Sequence, residues 1–312
     1  MNALLDVILP VFLILGAGYV AAWRKIVDEG AIDGVMRFAQ NFAVPCLLFR
    51  SISRLDLAQS FDPGLLISFY AGALGAGVLG YLGARVFFAR DAKDALSIAF
   101  VASFSNTLLL GLPITERAYG ADALAGNYAI ISIHSPLIYA IGISLMEAVR
   151  SRGQGMAKAA LLRQILRAIL SQPLVLGILG GFVVNLTGLP LPTAVSSAVD
   201  MMVRAAIPAA LFGLGGVLVR YRPEGDMKTI AMVCGLSLIA HPLITYGLGR
   251  FVFGLNTDQM RSAVVTAAMA PGVNAYLYAN IYSAARRVAA SSVLLATAAT
   301  IVTAWAWLHL LP

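Results

Sequence analysis

Charged residues are scarce in this sequence: they make up 12% of its 312 residues, whereas 60% are hydrophobic. A soluble domain carries about a quarter charged residues, because its water-exposed surface needs them. The mean hydropathy of +0.84 points the same way. The composition therefore excludes an ordinary soluble enzyme, a disordered chain and a disulfide-rich secreted domain, and it predicts an integral membrane protein.

The sequence also lacks the residue patterns that chemistry on a protein usually requires. Its two cysteines, Cys46 and Cys234, lie in apolar runs and are predicted to be small hydrophobes rather than a disulfide or metal pair. No His/Cys/Glu spacing suits a metal, no glycine-rich phosphate loop is present, and no nucleophile–base motif is visible. We therefore predict no cofactor, no metal site, no enzymatic activity and no ATP-driven pumping.

Long apolar runs fill most of the chain, and charged or Pro/Gly clusters divide them. A helix needs about 20 residues to cross a hydrocarbon core, and its backbone must be satisfied internally. No basic segment precedes the first apolar run, so we expect that run to be a span rather than a cleaved signal. The predicted fold is all-α, with ten transmembrane helices at 3–22, 34–52, 64–88, 94–119, 125–149, 168–187, 193–219, 228–253, 258–283 and 288–310.

Lys and Arg are distributed unevenly between the predicted loops. They concentrate at 24–25, 85–93, 150–167, 220–228 and 286–287, and the loops on the opposite side carry few of them. Cytoplasmic loops of membrane proteins collect basic residues. We therefore predict a location in the bacterial inner membrane with both termini outside. The net charge of +7 then reflects topology and does not indicate nucleic-acid binding.

The two halves of the chain resemble each other at a constant spacing. PVFLILGAGYV at 10–20 matches PLVLGILGGFV at 173–183, and PCLLF at 45–49 matches PAALF at 208–212, each pair 163 residues apart. A duplicated unit with an odd number of spans is inverted in its second copy, and inverted repeats are an architecture of secondary transporters. We predict a first five-helix repeat at 1–150, a basic cytoplasmic linker at 151–167 and an inverted second repeat at 168–312.

Predicted spans four and nine contain corresponding Gly/Pro interruptions. Span four carries SFSNTLLLGLP with Gly111 and Pro113, and span nine carries AMAPGVNAY with Pro271 and Gly272. Proline removes a helix hydrogen bond and glycine lowers the cost of unwinding. Paired breaks of this kind mark the binding site of inverted-repeat transporters, where half-helix N-termini attract anions. We therefore predict two helices broken at these residues, whose broken ends meet near the middle of the membrane; a plain proline kink is the alternative.

Three asparagines lie beside these interruptions or at an equivalent position in the first half. Asn106 and Asn274 flank the two breaks, and each can contact a substrate carboxylate or cap an exposed helix end. Asn41 lies four residues before Pro45, where it can line the same cavity or cap a proline kink. We predict that all three line the substrate site.

A few ionisable residues fall inside predicted spans, where they are costly and usually functional. Arg204 lies near the middle of span seven, with Asp200 one helical turn before it. Arg204 can contact the substrate, pair with Asp200 or extend its charge toward the outer face. His134 and His241 are candidate proton carriers, or satisfied packing residues. Asp200, His134 and His241 are accordingly the candidates for ion coupling.

At these residues the chain resembles the auxin efflux carrier family. The resemblance rests on NFAVPCLLF at 41–49, SNTLLLGLPI at 105–114, the following YG at 119–120, and APGVNAYLYA at 270–279. It implies two inverted repeats with crossing helices 4 and 9, as in sodium–proton antiporters and bile-acid symporters. It also implies a scaffold made of predicted spans 1, 2, 6 and 7, which is often dimeric. The remaining predicted spans, 3–5 and 8–10, would form a transport unit that moves like an elevator. The family's substrates are organic anions such as auxin or dicarboxylates.

We therefore predict a secondary or facilitative transporter of a small organic carboxylate, embedded in lipid and capable of forming a homodimer. Two other functions remain open. A cation–proton exchanger shares this architecture, although the acids Asp6, Asp94, Glu147 and Asp258 lie near span ends and leave the predicted core without the carboxylates that such an exchanger needs. A membrane protein that senses a ligand without transporting it is the second alternative.

Overall fold

The structure is a computed structural model that describes residues 4–150 and 158–311. These residues form helices and no named strand, as the all-α prediction requires. Most of the predicted linker, at 151–157, lies outside the described residues. The α-helices are α1 Leu9–Trp23, α2 Glu29–Phe38, α3 Val44–Ser53, α4 Leu57–Ser60, α5 Pro63–Val86, α6 Ala92–Ser103, α7 Leu112–Tyr119, α8 Ala125–Arg150, α9 Lys158–Leu170, α10 Pro173–Thr187, α11 Thr193–Leu218, α12 Met227–Gly235, α13 His241–Phe251, α14 Thr257–Ala267, α15 Val273–Ile281 and α16 Arg286–Leu310.

Four π-helical turns, each of five residues, interrupt these helices, and a proline follows each turn two residues later. Proline cannot donate to the carbonyl four residues before it, and its ring clashes with that carbonyl. The wider π turn accommodates the ring, so the helix continues instead of ending. The four turns and their prolines are Leu4–Ile8 with Pro10, Ala39–Ala43 with Pro45, Thr107–Gly111 with Pro113, and Leu236–Ala240 with Pro242.

Side chains satisfy two of the carbonyls that these prolines release. The Arg117 guanidinium donates to the carbonyl of Asp6, four residues before Pro10, at 2.7 Å. The Trp307 indole donates to the carbonyl of Leu238, four residues before Pro242, at 3.0 Å. Because a backbone group left unpaired in hydrocarbon is costly, such partners explain how proline is tolerated within an apolar helix.

Six helices among the described residues are long and apolar enough to cross a membrane. They match predicted spans one, three, five, seven, eight and ten to within two residues. The chain is therefore an integral membrane protein. The six helices are Leu4–Trp23, Pro63–Val86, Ala125–Arg150, Thr193–Leu218, Met227–Phe251 and Arg286–Leu310.

The other predicted spans are built from shorter segments. Predicted span six corresponds to Ala159–Leu170 and Pro173–Thr187, which pass the same test as a pair bent by 81°. Predicted span two is a helix widened by the π turn at Ala39–Ala43. Predicted spans four and nine are each two helices with a non-helical break between them. Length and composition therefore select six spans, or seven with the bent pair, of the ten predicted.

The chain divides into two compact units. Unit 1 comprises Met1–Ile8, Phe61–Leu166 and Tyr221–Pro312, and thus contains α5–α8 and α12–α16. Unit 2 comprises Leu9–Ser60 and Arg167–Arg220, and thus contains α1–α4, α10 and α11. Each unit draws on both halves of the sequence, which is why neither of them coincides with a predicted repeat.

Glycine allows the helices of unit 2 to pack backbone against backbone. A Cβ atom on Gly18 of α1 would collide with the backbone carbonyl of Phe212 on α11, and one on Gly215 of α11 would collide with that of Leu15 on α1. Small residues at such positions are the usual means of close helix approach in lipid. The α1–α11 pair therefore depends on glycine from both sides.

Candidate functional site

The two broken helices of unit 1 meet at their breaks through backbone hydrogen bonds. The amide of Asn106 donates to the carbonyl of Ala270 at 2.8 Å, and the amide of Gly272 donates to the carbonyl of Phe104 at 3.0 Å. The residues enclosed by these two bonds form an isolated antiparallel bridge. The breaks thus satisfy each other's backbone groups, which makes an irregular segment tolerable inside a membrane protein.

The first break lies before the residues that were expected to cause it. Helix α6 ends at Ser103 and helical structure resumes at Thr107, so Gly111 and Pro113 lie inside the second half-helix. Gly111 has ordinary helical dihedral angles, and the π turn absorbs Pro113. The prediction that these two residues unwind span four is therefore wrong in position.

The second break lies where it was predicted. It separates α14 and α15, and both Pro271 and Gly272 fall within it. Gly272 is the N-cap residue of α15 and adopts an extended conformation with no side-chain cap. The first amides of α15 therefore have no side-chain acceptor.

Asn106 caps the half-helix that follows the first break. Its side-chain oxygen accepts from the amide of Leu109 at 3.1 Å, and only 7% of the residue is exposed. An N-cap asparagine satisfies an amide that has no intrahelical partner. Its side-chain NH2 group makes no hydrogen bond to the described residues. Asn106 thus combines a capping oxygen with a free donor.

Asn274 lies in the first turn of α15 and has a different environment. Its backbone carbonyl accepts from the Tyr139 hydroxyl at 3.2 Å, and its side chain is half-buried. That side chain forms no capping bond within the part of the chain that the structure describes. We refer to the place where the two breaks meet as the crossover. One half-helix there has its N-terminus capped by the Asn106 side chain, and the other begins after Gly272 with no side-chain cap.

A buried amide that the sequence analysis overlooked joins the two broken helices. The NH2 group of Asn127 on α8 donates to the hydroxyls of Thr115 on α7 at 3.1 Å and of Thr266 on α14 at 2.8 Å. All three residues are 0% exposed. An asparagine in an apolar helix is itself the signal that could have identified it. We refer to Asn127, Thr115 and Thr266 as the amide clasp.

His134 and His241 are both buried in unit 1. The His134 ring on α8 packs against Phe69, Tyr70 and Phe104, with centroid distances of 5.6, 6.1 and 4.8 Å. The His241 ring at the start of α13 is 5.0 Å from Phe69 and contacts the Phe69 carbonyl through Nε2 at 3.2 Å. The two predicted coupling histidines therefore share one aromatic cluster.

The predicted site residues of unit 2 have other surroundings. Asp200 pairs with Arg50 on α3, at 2.8 Å and 2.9 Å, and not with Arg204 as one alternative expected. Arg204 has no ion pair within the described residues and its side chain is exposed in the isolated chain. Asn41 is also exposed and lies in a π turn. Arg50 outcompetes Arg204 because its guanidinium reaches both carboxylate oxygens of Asp200.

Unit 1 also holds a cavity of about 550 Å³ between α5, α6 and α8. Its lining is almost wholly apolar and reaches Ser103, the last residue of α6 before the break, and Tyr278 of α15. Cavities of several hundred Å³ are in the range that holds small organic molecules. No cluster of potential metal ligands occurs in the described parts of the chain.

Discontinuous helices that meet inside an all-helical membrane protein are the hallmark of a secondary-transporter fold. A family model described as "Membrane transport protein" matches residues 3–308. The chain therefore belongs to this family, the auxin efflux carriers, and it is a membrane transporter rather than an enzyme.

Several proteins are similar to this chain. "Uncharacterized transporter YfdV" of Escherichia coli is 25% identical over 305 residues, which cover 97% of this chain and 96% of that protein. "Putative malonate transporter" of Rhizobium meliloti is 20% identical over 313 residues, which cover 100% of this chain and 97% of that protein. "Auxin efflux carrier component 6" of Arabidopsis thaliana is 31% identical over 131 residues, which cover 42% of this chain and 23% of the plant protein.

Proposed function

We propose that this transporter carries a small organic carboxylate, which binds at the crossover of unit 1. The observation that carries the proposal is the pair of half-helix N-termini that meet there, one capped by the Asn106 side chain and the other with Gly272 as its N-cap residue. The positive ends of two helix dipoles suit an anion in a low-dielectric setting. The names of two relatives, which refer to malonate and to auxin, fit the same substrate class.

The side chains at the crossover have complementary roles in this proposal. The free NH2 group of Asn106 donates to one carboxylate oxygen, and the Asn274 side chain donates to the other. Gly272 keeps the start of α15 open, because any larger residue would narrow the approach to its first amides. The two amides and the helix ends supply charge-assisted hydrogen bonds without a permanent positive charge.

The two units support a moving-carrier mechanism. Unit 2 contains the helices assigned to the scaffold by resemblance, and unit 1 contains those assigned to the transport unit. We propose that unit 1 moves as an elevator that alternately exposes its crossover to the two sides. Ten spans in two inverted repeats, a homodimeric scaffold and an inner-membrane location with both termini outside belong to the same proposal.

Arg204 and Asn41 belong to unit 2, and their part in substrate binding stays a prediction. Arg204 is the stronger candidate, because a guanidinium in a membrane span needs an anionic or polar partner. The pairing of Asp200 with Arg50 leaves Arg204 without its expected partner within the described residues. Arg204 is therefore available to bind an anion.

Uptake by purified protein in proteoliposomes tests the proposal. Labelled malonate and indole-3-acetate serve as probes, and Asn106→Ala and Asn274→Ala are expected to lower uptake about tenfold or more, because each removes a hydrogen bond to a charged group worth roughly 1.5–3 kcal/mol. Asn280→Ala is the matched control, since Asn280 is exposed on the same helix as Asn274. Arg204→Ala, assayed in parallel, should strongly weaken uptake if Arg204 contacts the anion.

The same assay separates the alternatives. Tight binding of a carboxylate without uptake would favour a membrane sensor. Sodium-driven proton flux in the absence of any organic substrate would favour a cation–proton exchanger. Unchanged uptake by both asparagine variants would place the substrate away from the crossover and overturn the proposed site.

A further inference from the structure

Several buried polar atoms beside the crossover have no hydrogen-bond partner. They are both ring nitrogens of His134, Nδ1 of His241 and the hydroxyl of Ser105. Each of these residues is at most 1% exposed. Unsatisfied polar groups are rare in folded interiors, and a concentration of them calls for an explanation such as water or an ion.

These groups lie together. Phe104, the neighbour of Ser105 in the break, is tilted against the His134 ring at 4.8 Å, and Phe69 contacts both histidines. The two histidine rings therefore share one aromatic cluster that adjoins the break carrying Ser105.

The His134 ring lies deep within the membrane. It is nine residues from the start of α8, hence about 14 Å along the helix, which is near the middle of a hydrocarbon core of about 30 Å. Pro136 in the same helix also releases the carbonyl of Ser132, four residues before it. Protonation of His134 would thus place a positive charge near the middle of an apolar core.

The helices that pack against α8 bring no counter-charge to this point. Their charged residues lie toward the helix ends: Arg85 in the last turn of α5, Lys93 and Asp94 in the first turn of α6, and Asp258 and Arg261 in the N-terminal half of α14. The titratable side chains that face the His134 ring are Tyr70 and His241. Neither of them supplies a negative charge to an imidazolium.

We propose that His134 is the proton-binding site of this carrier, and that it takes up one proton together with each substrate carboxylate. This inference rests on the proposed function. An isolated imidazolium in a dry interior is costly, and so is an isolated carboxylate. Close together in a low dielectric they attract each other strongly, so that each promotes binding of the other. The result is symport of a proton and an anion.

The aromatic faces and Ser105 complete the site. The Tyr70 ring is stacked on the His134 ring at 6.1 Å and the Phe104 ring is tilted against it at 4.8 Å, and aromatic rings attract a nearby cation. The Ser105 hydroxyl, whose residue adjoins Asn106, links the proton site to the carboxylate site through one hydrogen bond or one bridging water. His241, tied through Nε2 to the Phe69 carbonyl, acts as the neutral neighbour that positions the cluster.

Transport driven by a pH gradient tests this proposal. At zero membrane potential, wild-type protein in proteoliposomes should accumulate malonate about tenfold per unit of inward proton gradient, as one-to-one symport requires. For indole-3-acetate, whose neutral acid crosses the bilayer unaided, the gradient-driven initial rate above that of protein-free liposomes is measured instead. His134→Gln, which keeps size and polarity but cannot bind a proton, should lose this accumulation while retaining exchange of labelled for unlabelled substrate. His309→Gln is the matched control, since His309 is exposed near the end of α16.

The outcomes distinguish a failure of the proposed function from a failure of the proton-coupling proposal. Absence of uptake of both probes by the wild type would overturn the proposed function and this inference with it. Uptake that ignores the pH gradient, or accumulation preserved in His134→Gln, would overturn the inference alone. If His134→Gln does not fold, NMR of isotope-labelled histidine in the wild type decides, because the chain has only three histidines. Addition of substrate should convert the buried His134 signal to imidazolium, and an unchanged neutral signal would contradict the proposal.

Discussion

Units 1 and 2 are both built from apolar helices, but their interiors differ. Every buried polar side chain among the described residues, except Ser60, belongs to unit 1. Unit 2 has glycines at which two helix backbones meet, and its ion pair between Arg50 and Asp200 is partly exposed. Polar groups inside a membrane protein are expensive and are usually retained for function. The difference is the one we expect if the proposed binding site lies in unit 1.

The largest effect is expected from filling the helix contact of unit 2. Gly18→Ala places a Cβ atom against the backbone carbonyl of Phe212, which cannot move aside as a flexible side chain can. We expect a loss of about 3 kcal/mol or more in stability, seen as a large fall in the thermal midpoint in detergent.

Gly16→Ala is the control for this change, because nothing lies within 4 Å of its added Cβ. That variant should be neutral or slightly more stable, since alanine favours a helix by about 1 kcal/mol relative to glycine. Equal stability of the Gly16 and Gly18 variants would show that the α1–α11 contact is not as tight as described.

A smaller effect on stability, but a larger one on transport, is expected from the amide clasp of unit 1. Asn127→Ala leaves the hydroxyls of Thr115 and Thr266 without their donor. We expect a cost of about 1–2 kcal/mol in stability, together with a loss of uptake per folded molecule, because the two broken helices lose their common tie. Thermal unfolding and proteoliposome uptake of the same preparation measure the two effects.

Asn185 provides the matched comparison in unit 2. Its NH2 group also donates twice, to the carbonyls of Ile52 at 2.9 Å and Leu55 at 2.8 Å. Asn185→Ala should cost a similar free energy of unfolding but leave uptake per folded molecule unchanged. If both variants lose uptake in proportion to stability alone, the functional contrast between the units fails.

The sequence predicted the helices well and the broken segments less well. Apolar length determines where a helix such as α5 or α16 begins and ends, so those boundaries followed from composition. The position of the first break did not, because Pro113 looked like a helix breaker and proved to be accommodated by a π turn. Whether a proline breaks, kinks or widens a helix depends on the surrounding packing, which a local pattern does not contain.

The partners of polar residues were the hardest to predict. Asp200 is one turn from Arg204 in sequence, but it pairs with Arg50, which is 150 residues away. Asn127 was not predicted to be a site residue, because its two threonine partners lie on other helices. In contrast, Asn106 could be recognised from sequence, since a cap acts on its own half-helix.

The most direct test of the central claim is hydrogen exchange at the crossover with and without substrate. If a carboxylate binds to the two half-helix N-termini, malonate or indole-3-acetate should slow exchange of the backbone amides at 106–109 and 272–275, with little change in α1 or α11. Protection confined to unit 2, or no protection at the crossover at saturating substrate, would contradict the account.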